Sequence, residues 1–175
     1  MKSKMKQELL SWVKPILFSI VLVFACRYFI FAPKEVLGES MEPTYKTSDR
    51  VMTSKLSTPK RFDIITFHAP DSDEDYIKRV IGLPGDHVVM HNDQLIINGK
   101  KYKEPYLKQI KRMLPIGEHL TGDFDEYVPK DQLFVLGDNR RVSKDSRIFG
   151  PIDADSVIGV VELRYYPFNK IGLTK

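Results

Sequence analysis

The sequence DYIKRVIGLPGD, residues Asp75 to Asp86, reads as a strand running into a tight turn. Tyr, Ile and Val favour an extended backbone, and Leu83-Pro84-Gly85-Asp86 has the composition of a turn. In a strand, Tyr76, Lys78 and Val80 face one side while Ile77, Arg79 and Ile81 face the other. Working outward, similar short runs rich in Val, Ile, Phe and Tyr recur at Val51 to Ser54, Asp63 to His68, Val88 to Met90, Leu95 to Ile97, Leu133 to Leu136 and Val157 to Tyr165. Gly, Pro, Asp and Asn separate them, and Asn98-Gly99 marks a hairpin or strand end. The expected fold is mainly β. The stretch Lys100 to Lys130 has weak periodicity and is expected to form a small inserted sub-domain or excursion, about 84–131.

The amino-terminal end differs. Pro15 to Ala32 reads PILFSIVLVFACRYFIFA, an apolar run that Leu9 to Val13 can extend. A bilayer core needs roughly 20 apolar residues in helix, with a lower limit of about 17. Pro33 lacks an amide proton and disfavours helix in the residue before it, so the helix is expected to end near Ala32. Arg27 lies toward the outer end, where its stem can carry the guanidinium to the headgroups. Lys2, Lys4, Lys6 and Lys14 precede the run, which places residues 1–14 in the cytoplasm, 15–32 in the membrane and 33–175 outside. A cleavable secretory signal is the competing reading of Ile30-Phe31-Ala32, but the run is long for one and proline follows directly.

Composition narrows the remaining classes. The chain has 175 residues, a formal net charge of +4 and a single cysteine, so an intrachain disulfide is excluded. The basic residues are dispersed and no common nucleic-acid module is present, which argues against a nucleic-acid partner. A surface facing anionic lipid accounts for the sign equally well. No C-x-x-C or H-E-x-x-H pattern occurs, and no metal or cofactor is expected. His87 and His91 in HVVMH would lie about 13 Å apart on one strand face, too far for one metal. With His68 and His119 they read as surface residues, and none lies near a G-x-S-x-G elbow.

Two segments carry candidate chemistry. GESMEPT, Gly38 to Thr44, follows the apolar run within six to eight residues, so Ser40 lies at most about 20–28 Å from its end. Taken alone, Ser40 is an ordinary linker serine, and Met41 reads either as a side chain dipping into lipid, with Phe31, or as normal packing. Lys78 taken alone is a solvated strand residue. A free lysine has a pKa near 10.4 and is neutral less than about 0.1% of the time at pH 7. Burial can lower that by roughly 3–5 units and make a usable base.

Jointly, these segments resemble type I signal peptidases, in the family's order. The anchor leads into Ser40-Met41-Glu42-Pro43-Thr44; Arg50-Val51 and Asp63 to Phe67 follow, then Tyr76 to Asp86, then GDNRRVSKDSRIFGPI from Gly137 to Ile152. The resemblance touches nearly the whole chain except Lys100 to Lys130, which is short here, as in the single-anchor Gram-positive type. It implies a catalytic domain of coiled antiparallel sheets outside the membrane and cleavage of secretory preproteins after an Ala-x-Ala-like site, near the lipid and the secretion translocon. By the same resemblance Ser40 is the nucleophile and Lys78 its general base. Ser143 orients the lysine amine, Asp145 and Arg147 form a supporting ion pair on an extended segment, and Asp138 and Ser146 support their loop. Gly38 stands where some members carry a serine that helps bind the oxyanion, leaving the Ser40 backbone N–H as donor. Two rivals share parts of this pattern. Ser-Lys self-cleaving repressors lack the anchor, and a catalytically silent membrane-tethered module would have lost the serine or the lysine.

Overall fold

The computed structural model describes residues 2–174, with side chains from residue 11 onward. Helix α1 (Lys2–Phe29) opens the chain and runs through Pro15. Its stretch Ser11–Phe29 has a mean hydropathy of 1.6 and is unburied, so α1 is long and apolar enough to cross a membrane. The side chains of Lys2, Lys4, Lys6 and Leu9, on which part of the orientation and length reading rests, lie outside the described residues.

Strands dominate the rest: β1 (Phe31–Glu35), β2 (Arg50–Ser54), β3 (Ile64–His68), β4 (Asp75–Gly82), β5 (His87–His91), β6 (Gln94–Ile97) and β7 (Lys100–Tyr102). A short helix α2 (Lys108–Met113) comes next, then β8 (Phe124–Tyr127), β9 (Gln132–Leu136), helix α3 (Ser146–Phe149), β10 (Ile152–Asp153), β11 (Val157–Tyr166) and β12 (Gly172–Leu173). They form an eight-stranded sheet in the order β1-β2-β11-β3-β4-β9-β10, with β12 added to β11, and a four-stranded sheet β7-β6-β5-β8. The pairings are antiparallel. The mainly β architecture behind one apolar helix is the one the sequence predicts.

The helix ends three residues before the expected Ala32. Phe31–Glu35 instead pairs with β2, with Phe31 opposite Ser54 and Glu35 opposite Arg50. Pro33 fits there because β1 is an edge strand, where a missing N–H leaves no ladder bond unmade. The junction is fastened on the domain side. Lys55 N donates to Ile30 O at 2.8 Å, and Lys55 Nζ donates to Tyr28 O at 2.8 Å with its ammonium over the Tyr28 ring. A cation on a last-turn carbonyl satisfies an orphan acceptor at the negative end of the helix dipole.

Three apolar clusters make the core. Ile65, Phe67, Val80, Leu133, Val135, Ile152 and Val160 fill one side of the large sheet. Val36, Met41, Tyr45, Val51, Ile64, Ile77 and Val161 fill another. The third joins the two sheets, with Ile81, Phe134 and Leu136 from the large one packed on Val88, Met90, Leu95 and Ile97 from the small one. The inserted sheet therefore shares its core with the main body. Met41 is fully buried, so of its two readings it takes packing, while Phe31 is 42% exposed.

Candidate active site

Strand β4 lies inside the large sheet between β3 and β9, and every residue from Ile77 to Gly82 is buried. Lys78 and Arg79 are thus both withdrawn from water, on opposite faces of one strand. Each ion needs partners there. Lys78 Nζ donates to Ser40 Oγ at 2.8 Å and to Ile77 O at 3.1 Å, and sits 5.1 Å from the Tyr76 ring centroid. Arg79 chelates Asp138, with Nε to Oδ1 at 2.8 Å and Nη2 to Oδ2 at 2.6 Å, and gives Nη1 to Phe62 O.

Ser40 sits in the turn after β1. Gly38 has φ +77°, a left-handed conformation that glycine adopts without strain, and its carbonyl accepts from Thr47 Oγ1 at 3.0 Å. Tyr45 N donates to Met41 O at 2.9 Å and buried Met41 anchors the turn from below. From the other side Asn139 N donates to Ser40 O at 3.0 Å, and Asn139 Nδ2 to Glu39 O at 3.1 Å. Thr44 Oγ1 donates to Asp138 Oδ2 at 2.5 Å, so Asp138 ties this turn to Arg79. The turn, β4 and the loop after β9 meet at the serine.

That loop brings most of the other expected residues together. Asp145 is fully buried; its carboxylate takes Arg147 Nε at 2.8 Å and Nη2 at 2.7 Å, and Gly137 N at 3.0 Å. The Asp145–Arg147 pair is present, but not on an extended segment. Asp145 caps helix α3, accepting from Arg147 N, and Arg147 folds back within the first turn to reach it. Ser146 Oγ accepts from Val135 N at 3.0 Å and pins α3 to β9. The Ser143 hydroxyl is buried with no hydrogen-bond partner among the described residues, Lys78 included. Gly137, which the sequence reading did not single out, explains how close the loop comes. A Cβ there would meet Ser143 Oγ at 2.1 Å and Ser40 O at 2.5 Å.

Burial pulls the Lys78 ammonium down to about 8, and the Asp145 carboxylate opposes part of that fall. A cavity of about 520 Å³ opens beside the pair, lined among others by Val36, Gly38, Val51, Tyr76 and Ile77. Lys34 and Asp75 form an ion pair of 2.5 Å among its lining residues, and Lys144 pairs with Asp71 near it. The cavity wall includes none of the histidines. His87 pairs with Asp125, His91 with Asp123 and His68 with Asp75. No group of three or more metal-ligating side chains occurs among the described residues.

A buried lysine amine in hydrogen-bond contact with a serine hydroxyl, beside an apolar groove, is chemically a base next to a nucleophile. Residues 9–166 match the family described as signal peptidase, peptidase S26. The chain is 42% identical over 181 residues to signal peptidase IB of Staphylococcus aureus (strain Mu50 / ATCC 700699), covering 95% of this chain and 94% of that protein. It is 41% identical over 177 residues to signal peptidase I P of Bacillus subtilis subsp. natto, covering 97% and 96%. The crystal structure of a signal peptidase I from Enterococcus faecalis V583 is similar with a TM-score of 0.58 at 43% identity, covering 59% of this chain and 97% of that one.

Proposed function

This chain belongs to the signal peptidase family, peptidase S26, and from that premise we propose that it cuts signal peptides from preproteins as a serine peptidase with a Ser40–Lys78 dyad. The observation that carries the reading is the 2.8 Å contact between Lys78 Nζ and Ser40 Oγ, made by a lysine that burial has brought down to about 8. Once Lys78 is neutral, its lone pair can accept the Ser40 hydroxyl proton along the same line. Ser40 Oγ attacks the scissile carbonyl, and the tetrahedral oxyanion is held by backbone N–H at Ser40, since Gly38 offers no hydroxyl. Lys78 then gives its proton to the leaving amine. Water, deprotonated by Lys78, hydrolyses the ester on Ser40 and restores the serine. Asp145 with Arg147, Asp138 and Ser146 hold the loop, and the unpartnered Ser143 hydroxyl on the same loop is the group that orients the Lys78 amine.

The substrate is a preprotein with an Ala-x-Ala-like site, its small side chains seated in the cavity walled by Val36, Val51 and Ile77. It lies extended, adding main-chain hydrogen bonds like a further strand. Helix α1 crosses the cell membrane once, with the lysine-rich residues 1–14 inside and the peptidase domain of residues 33–175 outside, against the bilayer and close to the translocon. The deciding experiment is cleavage of an Ala-x-Ala preprotein by detergent-solubilised enzyme, with Ser40→Ala and Lys78→Ala in parallel. Wild type is expected to cut after the second Ala, and both variants to fall by a factor of 10³ or more. Robust cleavage by either variant would sink the dyad.

A further inference from the structure

The segment Lys100–Lys130 carries none of the motif blocks, yet two of its residues reach the back of the catalytic loop. Glu104 follows β7, and its side chain is 3% exposed. One carboxylate oxygen, Oε1, takes Arg140 Nη2 at 2.5 Å and the Tyr106 hydroxyl at 2.9 Å. The other, Oε2, is buried without a hydrogen bond and faces Lys111 Nζ at 3.8 Å. Arg140 is fully buried, and its Nε donates to Gly137 O at 2.9 Å. The Arg140 carbonyl in turn accepts from Arg147 Nη2 at 2.8 Å. Glu104 is therefore two side chains away from Asp145. Tyr106 makes a second connection: its ring lies 3.9 Å under the guanidinium of Arg79, which neighbours Lys78 on β4 and chelates Asp138. Burial, then the nearby Glu104 charge, push the Tyr106 phenol up, so it stays a donor to Glu104.

We propose that Glu104 and Tyr106 are positioning residues for the Ser40–Lys78 centre, clamping the 137–147 loop and Arg79 from behind. The inference rests on the dyad reading and extends it to a segment that carries none of the quoted motif blocks. A bare structural role for these contacts is the alternative. A carboxylate that only neutralised Arg140 needs no second connection through Tyr106 to the residue beside the base. One connection ends at Gly137, packed against Ser143 and the Ser40 carbonyl, and the other at Arg79, the residue after Lys78 on β4. Displacements of about 1 Å in such a frame reduce turnover by up to about a hundredfold without touching substrate affinity.

The test uses the full chain in detergent with an Ala-x-Ala signal-peptide substrate, measuring kcat, KM and the melting temperature. Ser40→Ala serves as the check on the dyad itself; if it still cleaves, that reading fails and this inference falls with it. With the dyad upheld, Glu104→Gln is expected to lower kcat at least tenfold with KM within twofold, and Tyr106→Phe about threefold. Glu104→Gln strands the Arg140 charge and can unfold the protein, so a Glu104→Gln/Arg140→Gln double variant is made as well. The double variant is expected to recover the wild-type melting temperature but not kcat. Glu118→Gln, in the same segment but paired with exposed Arg141, is expected to match wild type. Wild-type kcat in the double variant, or a loss in KM alone, overturns the proposal.

Discussion

Lys78 concentrates the conflict between stability and chemistry at one side chain. Buried charge is disfavoured, so burial lowers its pKa to about 8 and leaves a usable neutral fraction near neutrality. Cleavage at subsaturating substrate should therefore rise about tenfold per pH unit below 8 and level off above it. A pH–rate profile checks this, and a flat profile from pH 5 to 9 would count against a lysine base. Asp145 raises the Lys78 pKa, so Asp145→Asn should move the acid limb to lower pH while lowering the plateau through the lost loop contacts. The same burial has a thermodynamic sign. Below pH 8 both folded and unfolded chains carry the proton, and the folded state bears the cost of a buried ammonium. Wild-type stability should then increase as pH climbs from about 8 toward the unfolded value of about 10.4. Lys78→Met, which keeps the volume and removes the charge, should abolish cleavage yet stabilise the protein at pH 7 by up to about 3 kcal/mol. Denaturant midpoints at pH 7 and pH 10 would measure it, and the gain should shrink at the higher pH.

At the scale of elements, β11 carries the large sheet because it pairs with β2, β3 and β12. Gly159 makes this possible at a register shift, where a Cβ would meet Ser54 O at 2.2 Å. Gly159→Ala must push β11 away from β2 and should cost about 3 kcal/mol, read as a lowered denaturant midpoint with an unchanged m-value. The seven strands expected from sequence all exist, because β-branched and aromatic runs between turn residues report two-sided burial directly. The strands missed are β1, β7, β8, β10 and β12. FAPKE reads as the tail of the apolar helix followed by proline, and only its pairing with β2 makes it a strand. KKY and FDEY sit at the two edges of the small sheet, where one ladder and a mostly exposed surface leave little apolar signal. The site divides the same way. Ser40 and Lys78 were legible through motif resemblance, since a lysine between Ile77 and Arg79 looks like any strand lysine until the fold buries both faces of β4. Arg140, Glu104 and Tyr106 were invisible because their partners lie far apart in sequence, 36 and 34 residues from Arg140 respectively.

For the molecule as a whole, the question is what the anchor contributes beyond location. Among the described residues, the core clusters draw on none before Val36. Side chains along α1 such as Trp12, Phe18, Val23 and Phe24 are about two-thirds exposed. Where the helix meets the domain, Lys55 grips the Tyr28 and Ile30 carbonyls. Cutting the chain before Ile30 keeps β1 and its full pairing with β2, and takes from the domain the Lys55–Tyr28 hydrogen bond and the contact of the Lys55 ammonium with the Tyr28 ring. One exposed hydrogen bond and one exposed cation–π contact are together worth about 1–2 kcal/mol, which for a domain of this size moves the melting temperature by about 2–8 °C. The shortened chain should therefore melt close to the full one and cut a water-soluble Ala-x-Ala peptide with kcat within about threefold. Its deficit should appear only with a preprotein inserted in vesicles, where enzyme and substrate no longer share a membrane. Confinement to a common surface raises effective concentration by factors of about 10²–10⁴, and losing it should slow cleavage on that order. Equal loss on soluble and vesicle-borne substrates would instead mean that α1 shapes the site, through the junction at Lys55.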